Sequence, residues 1–184
     1  MRKDYGTKSW VFPMPVLIIG TYDKDGKANA MNAAWGAQYD YDKVIVSLSE
    51  HKTTDNLKVS KAFTLSFATK KTVKASDYVG MVSGRKEPNK IEKAGLTPIK
   101  SDKVNAPLFK EFPLTLECEV DEYNEETGIL IGKIINASVD ESIIKDDKID
   151  TLKLEAIAFD PINHKYRLVG EEIADAFKVG LELK

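Results

Sequence analysis

The sequence predicts a mainly β domain with flanking helices, in which an antiparallel sheet curls into a small barrel. Short β-rich runs joined by turn residues occur near the start of the chain and again after residue 113, which favours hairpins and antiparallel pairing. The helix-like segments lie between these runs without a regular strand and helix alternation, which argues against a doubly wound sheet. A chain of 184 residues with 42% hydrophobic residues can bury one core without disulfides, and no repeat or linker divides it. We therefore predict a single domain over residues 1–184.

The first half of the chain predicts a hairpin followed by a strand, a helix and a strand. The run PVLIIGTY ends at DKDGK, where Asp25-Gly26 is a strong turn signal, and Asp23 and Asp25 are interpreted as turn residues. The second strand of this hairpin is ANAMNAAW. The runs KVIVSLS and AFTLSFA are strand-like, and EHKTTDNLKVSK between them has the hydroxyl and Asp residues that typically cap a helix.

The second half predicts helices first and strands afterwards. The segments KASDYVGMVSG and NKIEKAGLT each end at a glycine that can stop a helix, so the middle of the chain is predicted to be α-rich. From Pro113 onward, LTLECEVDEY and ILIGKIINASVD predict a long hairpin, and LKLEAIAFD and KYRLVG predict two further strands. The acidic segment DESIIKDDKID is expected to be a solvated loop or short helix, and EEIADAFKVG a closing helix.

Composition argues against several classes of partner. Lysine plus arginine total 27 against 29 for aspartate plus glutamate, so the chain lacks the basic excess with which proteins bind nucleic-acid phosphates. No apolar run approaches the ~20 residues of a membrane span, and MRKDYGTKSW lacks the apolar region of a signal peptide. We expect a cytoplasmic protein with no nucleic-acid partner and no membrane partner.

The common catalytic and metal-binding motifs are missing. With His51, His164 and Cys118 as its only histidines and cysteine, the chain has no zinc or transition-metal pattern, so no metal is expected. The lone Cys118 excludes an intramolecular disulfide and is interpreted as a buried strand thiol. EF-hand, Walker A, GxGxxG and GxSxG patterns are also absent. If the protein is an enzyme, a bound cofactor is expected to carry the reaction.

The segment from Lys27 to Lys58 combines a candidate slot with a candidate anion site. Its small residues, Ala30, Ala33, Ala34 and Gly36, let backbone approach a planar ligand such as a flavin, although tight packing alone would also explain them. A few residues later, a predicted helix start with free N–H groups favours a phosphate, although simple helix capping is the alternative. The residues at that helix start are Ser47, Ser49, Lys52, Thr53 and Thr54. Because one FMN molecule would use both features, their proximity favours a flavin mononucleotide.

The chain also resembles the flavin reductase-like, FMN-binding split-barrel family, which includes the small electron-transfer proteins called flavoredoxins. The shared pattern runs through PMPVLIIGTYDKDGKANAMNAAWG, SLSEHKTTDNLKVSKAFTLSF, DYVGMVSGRKEPNKIEKAGLT and HKYRLVGEEIADAFKVG. The likeness spans nearly the whole chain. It implies an antiparallel split β-barrel that binds FMN.

The resemblance implies a set of cofactor-binding residues and no particular catalytic side chain. One group would lie along the isoalloxazine ring and the ribityl chain, largely through backbone contacts: Asn29, Ala30, Met31, Asn32, Ala33, Ala34 and Trp35. A second group would surround the ribityl end and the phosphate: Ser47, Ser49, His51, Lys52, Thr53, Thr54 and Asn56. Ser83, Gly84 and Lys90 match family positions near the flavin, and Lys90 is expected to supply positive charge.

Two of these positions depart from many family members. Asn32 stands where Thr is common, and His51 stands where Arg is common. Both residues keep hydrogen-bonding capacity, but a histidine supplies less positive charge than an arginine. The phosphate would therefore depend more on Lys52 and on the helix start, and a surface position without a role is the alternative for His51.

The resemblance implies an FMN-binding oxidoreductase, with NADH or NADPH as a possible co-substrate and free flavin, a small acceptor or a redox protein as the acceptor. It also implies a homodimer with the flavin near the subunit interface. Trp10, Phe12 and Tyr39 are candidate interface or flavin-stacking aromatics, and core packing fits each of them equally well. Two alternatives stay open. One is an electron-transfer flavoprotein that does not oxidise NAD(P)H directly, and the other is a ligand-binding or structural barrel without flavin.

Overall fold

The computed structural model describes residues 1–183, and a curled antiparallel sheet of seven strands lies at its centre. The strands are β1 (Met14–Pro15), β2 (Leu17–Tyr22), β3 (Ala28–Ala33), β4 (Gly36–Asp40), β5 (Lys43–Ser47), β6 (Ala62–Phe67), β7 (Pro98–Lys100), β8 (Pro107–Phe109), β9 (Leu114–Asn124), β10 (Ile129–Val139), β11 (Ile144–Lys145), β12 (Lys148–Ile149), β13 (Ile157–Asp160) and β14 (Lys165–Leu168). The α-helices are α1 (Lys52–Ser60), α2 (Val73–Met81), α3 (Lys90–Lys93) and α4 (Thr151–Leu154).

The central sheet has the strand order β3-β2-β6-β9-β10-β5-β4, and every neighbouring pair in it is antiparallel. Strands β1, β13 and β14 form a second sheet, and β7-β8 and β11-β12 are separate two-stranded ribbons. The prediction of a mainly β, antiparallel split barrel with flanking helices is therefore confirmed.

The first hairpin forms where the turn signal predicts it. Gly26 adopts a φ of +76°, which a residue with a side chain rarely does. The Asp23 carboxylate accepts the N–H groups of Asp25 at 3.1 Å and Lys27 at 2.9 Å, so it closes the turn from inside. These bonds fix the register of β2 against β3, which brings the Asn-Ala-Met-Asn segment to the edge of the central sheet.

The core lies on both faces of the central sheet because successive strand residues point to opposite sides. Leu17 and Ile19 of β2 belong to one buried cluster, which also contains Leu57 of α1. Ile18 belongs to the second cluster, together with Val79 of α2. Helices α1 and α2 therefore pack on opposite faces of the sheet, and both contact the edge strand β3.

Cys118 lies in β9 with no exposed surface, as predicted from its apolar surroundings. Burial, together with the neighbouring Glu117, raises the pKa of the Cys118 thiol to about 12. The thiolate is the reactive form of a cysteine, so this residue is a packing residue at neutral pH.

The predicted closing helix is wrong. Residues 170–178 are not helical, and only a short 3-10 turn, Val179–Leu183, follows them. Ile173 and Phe177 are 93% and 99% exposed, so the segment has no buried apolar face. Short helices gain most of their stability from such a face, and the helical pattern alone is not enough.

Three other segments differ from the sequence-based prediction. The α-rich middle also contains the β7-β8 ribbon, and the acidic segment forms a 3-10 turn, Glu141–Ile143, followed by the β11-β12 ribbon. The segment LKLEAIAFD begins as the one-turn helix α4 before β13 starts. The Asp150 side chain causes this, because it accepts the N–H groups of Leu152 at 3.0 Å and Lys153 at 3.1 Å.

No helix within residues 1–183 combines the length and the apolar character that crossing a membrane requires.

Candidate functional site

Two adjoining pockets lie beside the edge strand β3. The smaller one, here called the polar pocket, has a volume of about 120 Å³ and is lined by Asn29, Met31, Asn32, His51, Lys52, Thr53, Val79, Gly80, Met81, Val82, Ser83, Gly84 and Lys90. The larger one, here called the slot, has a volume of about 410 Å³ and is lined by Met31, Asn32, Ala33, Ala34, Trp35, Ser47, Leu48, Ser49, His51 and Thr127. Met31, Asn32 and His51 belong to both pockets, so the two spaces adjoin at these residues.

The start of helix α1 forms one wall of the polar pocket. Asn29 of β3 is buried, and its Nδ2 donates to Thr53 Oγ1 at 2.8 Å, which joins the strand to the first turn of the helix. The first intrahelical bond runs from the Asp55 N–H to the His51 carbonyl. The N–H groups of Lys52 and Thr53, at the first two positions of α1, therefore have no intrahelical acceptor and are available to an anion.

The loop after α2 forms the opposite wall and lies very close to the side chains of Asn29 and Lys52. A Cβ atom on Gly84 would lie 2.3 Å from Asn29 Oδ1, which is closer than real Cβ contacts allow, and 3.2 Å from Lys52 Cδ, which is tight. Glycine is required here because backbone meets side chain directly. The polar pocket is narrow for the same reason.

Two lysines give the polar pocket its charge. Lys52 pairs with Asp23 Oδ2 at 3.0 Å, so its charge is partly compensated. Burial alone would raise the pKa of Asp23, but hydrogen bonds from the Lys27 N–H and from Lys52 outweigh burial and lower that pKa. No aspartate or glutamate lines the polar pocket.

Lys90 is the second cation, and it differs from Lys52 in having no carboxylate partner among residues 1–183. Only 4% of its surface is exposed, although it opens on the polar pocket. Burial, and to a lesser degree the positive charge of Lys52, lowers the pKa of Lys90 to about 8. A buried cation without a partner is costly in free energy, and an anionic ligand would remove that cost.

The slot has walls of a different kind, in which small residues lie beside larger side chains such as Trp35 and Leu48. Ala33, Ala34 and Trp35 follow one another along one side, and Ser47 and Ser49 lie at the end of β5 on the other. Trp35 is 59% exposed and stands at the rim.

A tight turn between β9 and β10 completes the slot. Gly128 has a φ of +71°, and a Cβ there would lie 2.1 Å from the Leu48 carbonyl oxygen. The Leu48 N–H donates to the Gly128 carbonyl at 2.8 Å, which holds the turn against the end of β5. This contact places Thr127 in the wall of the slot.

Most of the residues predicted as cofactor-binding line one pocket or the other, but Ala30, Thr54 and Asn56 do not. Ala30 is fully buried in the apolar cluster beneath α2. Thr54 Oγ1 accepts the His51 N–H at 3.0 Å and donates to the His51 carbonyl at 2.8 Å, so it closes the helix start. Asn56 is buried and donates to Thr21 Oγ1 at 2.9 Å. For these three, the structure supports the capping and packing alternatives.

Several lining residues were not predicted from the sequence. Leu48, Thr127 and the end of α2, Val79–Val82, reach the pockets through tertiary packing that leaves no local pattern. Asp23 was interpreted only as a turn residue, although its second carboxylate oxygen pairs with Lys52. The glycine in the NEETG turn was the one available signal for Thr127.

The candidate aromatics outside the pockets are not core residues. Trp10, Phe12 and Tyr39 are 38%, 48% and 56% exposed. Core packing is therefore excluded for all three, and their interpretation as interface or flavin-stacking residues stays a prediction.

The fold is that of a split-barrel domain, and two adjoining pockets, one lined by Lys52 and Lys90 and the other partly by small residues, lie beside its edge strand β3. A family model described as the flavin reductase like domain matches residues 9–153. The chain therefore belongs to the flavin reductase-like domain family.

Solved structures of similar proteins agree with this assignment. A flavoredoxin of Desulfovibrio vulgaris (Miyazaki F) is 35% identical, with 98% of this chain and 100% of that chain covered and a TM-score of 0.92. A flavoredoxin from Methanosarcina acetivorans is 27% identical, with 100% of both chains covered and a TM-score of 0.89.

Sequence relatives include uncharacterized proteins. One from Archaeoglobus fulgidus is 32% identical over 147 residues, which cover 77% of this chain and 80% of that protein. Another from Aeropyrum pernix is 29% identical over 110 residues, and there the match spans only 42% of the relative's length.

Proposed function

We propose that the protein is an FMN-binding oxidoreductase, a flavin reductase of the NAD(P)H-dependent type. The observation that carries this proposal is the buried Lys90 cation, which has no carboxylate partner among residues 1–183 and faces a polar pocket that adjoins the slot. A mononucleotide flavin has a phosphate at one end and a planar ring at the other, and these two parts match the polar pocket and the slot in that order.

The phosphate fits the polar pocket on charge and on donor geometry. Lys90 and Lys52 supply positive charge, and the free N–H groups at the start of α1 supply fixed donors. Ser83 and Thr53 add hydroxyls, and no carboxylate lines the space to repel an anion. FMN should therefore bind more tightly than riboflavin, which lacks the phosphate, and also more tightly than FAD.

The ring fits the slot because small residues, among them Ala33, Ala34, Ser47 and Ser49, leave room along its walls. The slot volume of about 410 Å³ lies within the range of about 300–1,000 Å³ that is usual for small-molecule sites. The ribityl chain would pass the junction of the two pockets, where Met31, Asn32 and His51 lie.

Bound FMN would supply the redox chemistry, accepting a hydride or electrons and passing them to free flavin, a small acceptor or a redox protein. The residues of this chain hold and orient the cofactor. The alanines on one side of the slot leave room beside a bound ring, and a nicotinamide ring from NADH or NADPH would need that access.

The second candidate is an electron-transfer flavoprotein that does not oxidise NAD(P)H directly. The specific support for it is the similarity to two flavoredoxins at 35% and 27% identity over nearly the whole chain. It would use the same pockets but take its electrons from a reduced protein.

Reconstitution followed by reduction separates these candidates. The protein loaded with FMN is mixed anaerobically with NADH, with NADPH, and with a reduced ferredoxin-like donor, and the flavin absorbance is recorded by stopped flow. Bleaching by a nicotinamide, and oxidation upon addition of free flavin, supports the reductase. Bleaching by the protein donor alone supports electron transfer, and failure to bind FMN contradicts both.

We also propose a homodimer that covers the slot. An apolar groove of about 670 Å³ adjoins the slot, sharing Ala34, Trp35 and Ser47 with it. Val11, Pro13, Met14, Pro15, Ile45 and Ile129 add apolar surface to that groove. A second copy would bury this surface together with the exposed aromatic residues near it.

Sedimentation equilibrium over a dilution series tests the dimer. The wild type should sediment as a dimer, and Ile45→Glu, which places a charge in the groove, should sediment as a monomer. A wild-type protein that is monomeric at every concentration and still binds FMN would contradict the interface. The cytoplasm, expected from the sequence, remains the proposed location.

A further inference from the structure

Asn32 occupies the junction between the polar pocket and the slot and has one end of its carboxamide already engaged. Its Nδ2 donates to the backbone carbonyl of Ser76 in α2 at 3.0 Å. An acceptor at that position requires the amide nitrogen there, so the orientation of the carboxamide is determined. Its Oδ1 has no hydrogen-bond donor among residues 1–183, and the residue lines both pockets.

The turn of α2 that accepts the Asn32 hydrogen bond is itself bonded to a strand outside the central sheet. The Tyr166 hydroxyl donates to Asp77 Oδ1 at 2.7 Å, and Asp77 is the residue next to Ser76. Tyr166 lies in β14, at the far end of the chain and outside the central sheet. This hydrogen bond therefore connects the β13-β14 hairpin to the turn of α2 that carries the Ser76 carbonyl.

A close contact between α2 and β3 limits how far the carboxamide of Asn32 can move. A Cβ on Gly80 would lie 2.9 Å from the Asn32 Cβ, so α2 and β3 are in close contact at this position.

Burial and the hydrogen bond to Asp77 raise the pKa of Tyr166 to about 12, although a hydrogen bond from the Asn32 amide to the phenol oxygen lowers that pKa in part. Tyr166 therefore stays a neutral hydrogen-bond donor at physiological pH.

We propose that Tyr166, acting through Asp77 and α2, is a positioning residue that keeps the Asn32 Oδ1 directed at the junction, where it accepts a hydrogen bond from a ribityl hydroxyl of the flavin. This proposal rests on the proposed function, because it assumes that a flavin spans the two pockets. A ribityl hydroxyl is a suitable partner because it can donate, whereas the phosphate at neutral pH cannot. Tyr166 does not touch the ligand in this account.

Three flavins that differ in their parts distinguish a contact with the ribityl chain from contacts with the ring or the phosphate. FMN has the ring, the ribityl chain and the phosphate, riboflavin lacks the phosphate, and lumiflavin lacks the ribityl chain as well. Fluorescence titration gives the Kd of each flavin for the wild type, Asn32→Ala, Tyr166→Phe and the double variant. Tyr41→Phe is the matched control, because Tyr41 is 98% exposed.

We expect Tyr166→Phe and Asn32→Ala each to weaken FMN and riboflavin by the same factor, about 5-fold, and to leave lumiflavin unchanged. In the double variant the two losses should not add, because both remove one hydrogen bond. Tyr41→Phe should change nothing. Because a general loosening of the fold would weaken lumiflavin too, that result would overturn the positioning role.

Additive losses, or unchanged affinity of Tyr166→Phe for FMN and riboflavin, would also overturn this inference while leaving the proposed function intact. A wild-type protein that binds none of the three flavins would overturn both. Thermal unfolding of the flavin-free variants shows whether each one is folded before its affinities are compared.

Discussion

The polar pocket and the slot are neighbours, yet they are built by opposite means. The polar pocket is made by side chains that carry charge and hydroxyls, among them Lys52, Lys90 and Thr53. The slot owes its space to small residues, with Ala33 and Ala34 leaving room between larger side chains. We expect the polar pocket to select a ligand by its charge and the slot to select one by its thickness. Substitutions in the two pockets should therefore affect different parts of a flavin.

Among substitutions that change the shape of a pocket, the largest effect is expected where backbone closes the polar pocket. Gly84→Ala places a methyl group 2.3 Å from Asn29 Oδ1, so the loop or the Asn29 side chain must shift, which changes the shape of the polar pocket. We expect this shift to relieve the strain of about 1–3 kcal/mol in the free protein and the strain to return when FMN binds, which corresponds to up to about 100-fold weaker FMN binding. Riboflavin, without a phosphate to place there, should lose much less. Isothermal titration with both flavins measures the difference.

Gly170→Ala is the matched control for that substitution, because no atom lies within 4 Å of a Cβ at Gly170. It should leave both affinities unchanged. Equal losses of FMN and riboflavin in Gly84→Ala would show that the polar pocket and the slot respond to substitution as one unit.

A somewhat smaller effect is expected in the slot. Ala34→Leu fills the space beside β3 with a branched side chain, and we expect FMN, riboflavin and lumiflavin all to bind about 20-fold more weakly, because the ring is common to them. Ala34→Ser, which adds one small atom, is the control. If Ala34→Leu weakened FMN but neither riboflavin nor lumiflavin, that result would contradict the placement of the ring in the slot.

Secondary structure was predictable from the sequence where a local cause acts. Asp25-Gly26 closes the first hairpin through bonds within the turn itself, and the helix start at Lys52 follows from the hydroxyl of Thr54. Asp150 caps α4 in the same local way, and that signal was available but was not used. The closing helix failed because residues such as Phe177 contact nothing that would stabilise a helix there.

The candidate site was predictable in its position but not in all of its members. The edge strand and the start of α1 are near in sequence, so Asn29, Lys52 and Thr53 could be grouped before the fold was known. Thr127 lies far from them in sequence and reaches the slot only because β10 pairs with β5. The direction in which a single side chain points also depends on packing. The Asn56 side chain, for example, donates a hydrogen bond to Thr21 and does not line a pocket.

The pH dependence of binding should differ between the two pockets. The pKa of Lys90 in the flavin-free protein is lowered to about 8 by burial and by Lys52, and a bound phosphate would favour its charged form. FMN binding should therefore take up a proton, and above pH 8 its affinity should fall by up to about 10-fold per pH unit. Riboflavin binding should stay flat over this range. Titrations from pH 7 to 9.5 test this, and a parallel fall for both flavins would contradict it.

The same shift predicts the sign of a stability effect. The unfolded chain holds the Lys90 proton up to an ordinary lysine pKa of about 10.4, whereas the flavin-free folded protein releases it near pH 8. The unfolded state therefore binds more protons between these values, so the contribution of Lys90 to the free energy of unfolding rises with pH in that window. Urea unfolding of wild type and Lys90→Met at pH 7.5 and 9.5 measures it, and the wild type should gain relative to the variant.

The most direct test of the central claim, that one flavin places its phosphate against Lys90 and its ring in the slot, is a comparison of FMN and riboflavin affinity in Lys90→Ala. Lys86→Ala is the control, because it removes the same charge from an exposed position in the loop that precedes α3. A lost charge-assisted hydrogen bond of about 1.5–3 kcal/mol predicts FMN binding weaker by about 10-fold to 150-fold, with riboflavin changed by less than about 2-fold and Lys86→Ala unchanged for both. If Lys90→Ala weakens FMN and riboflavin equally, or weakens neither, the phosphate does not lie against Lys90 and the account is wrong.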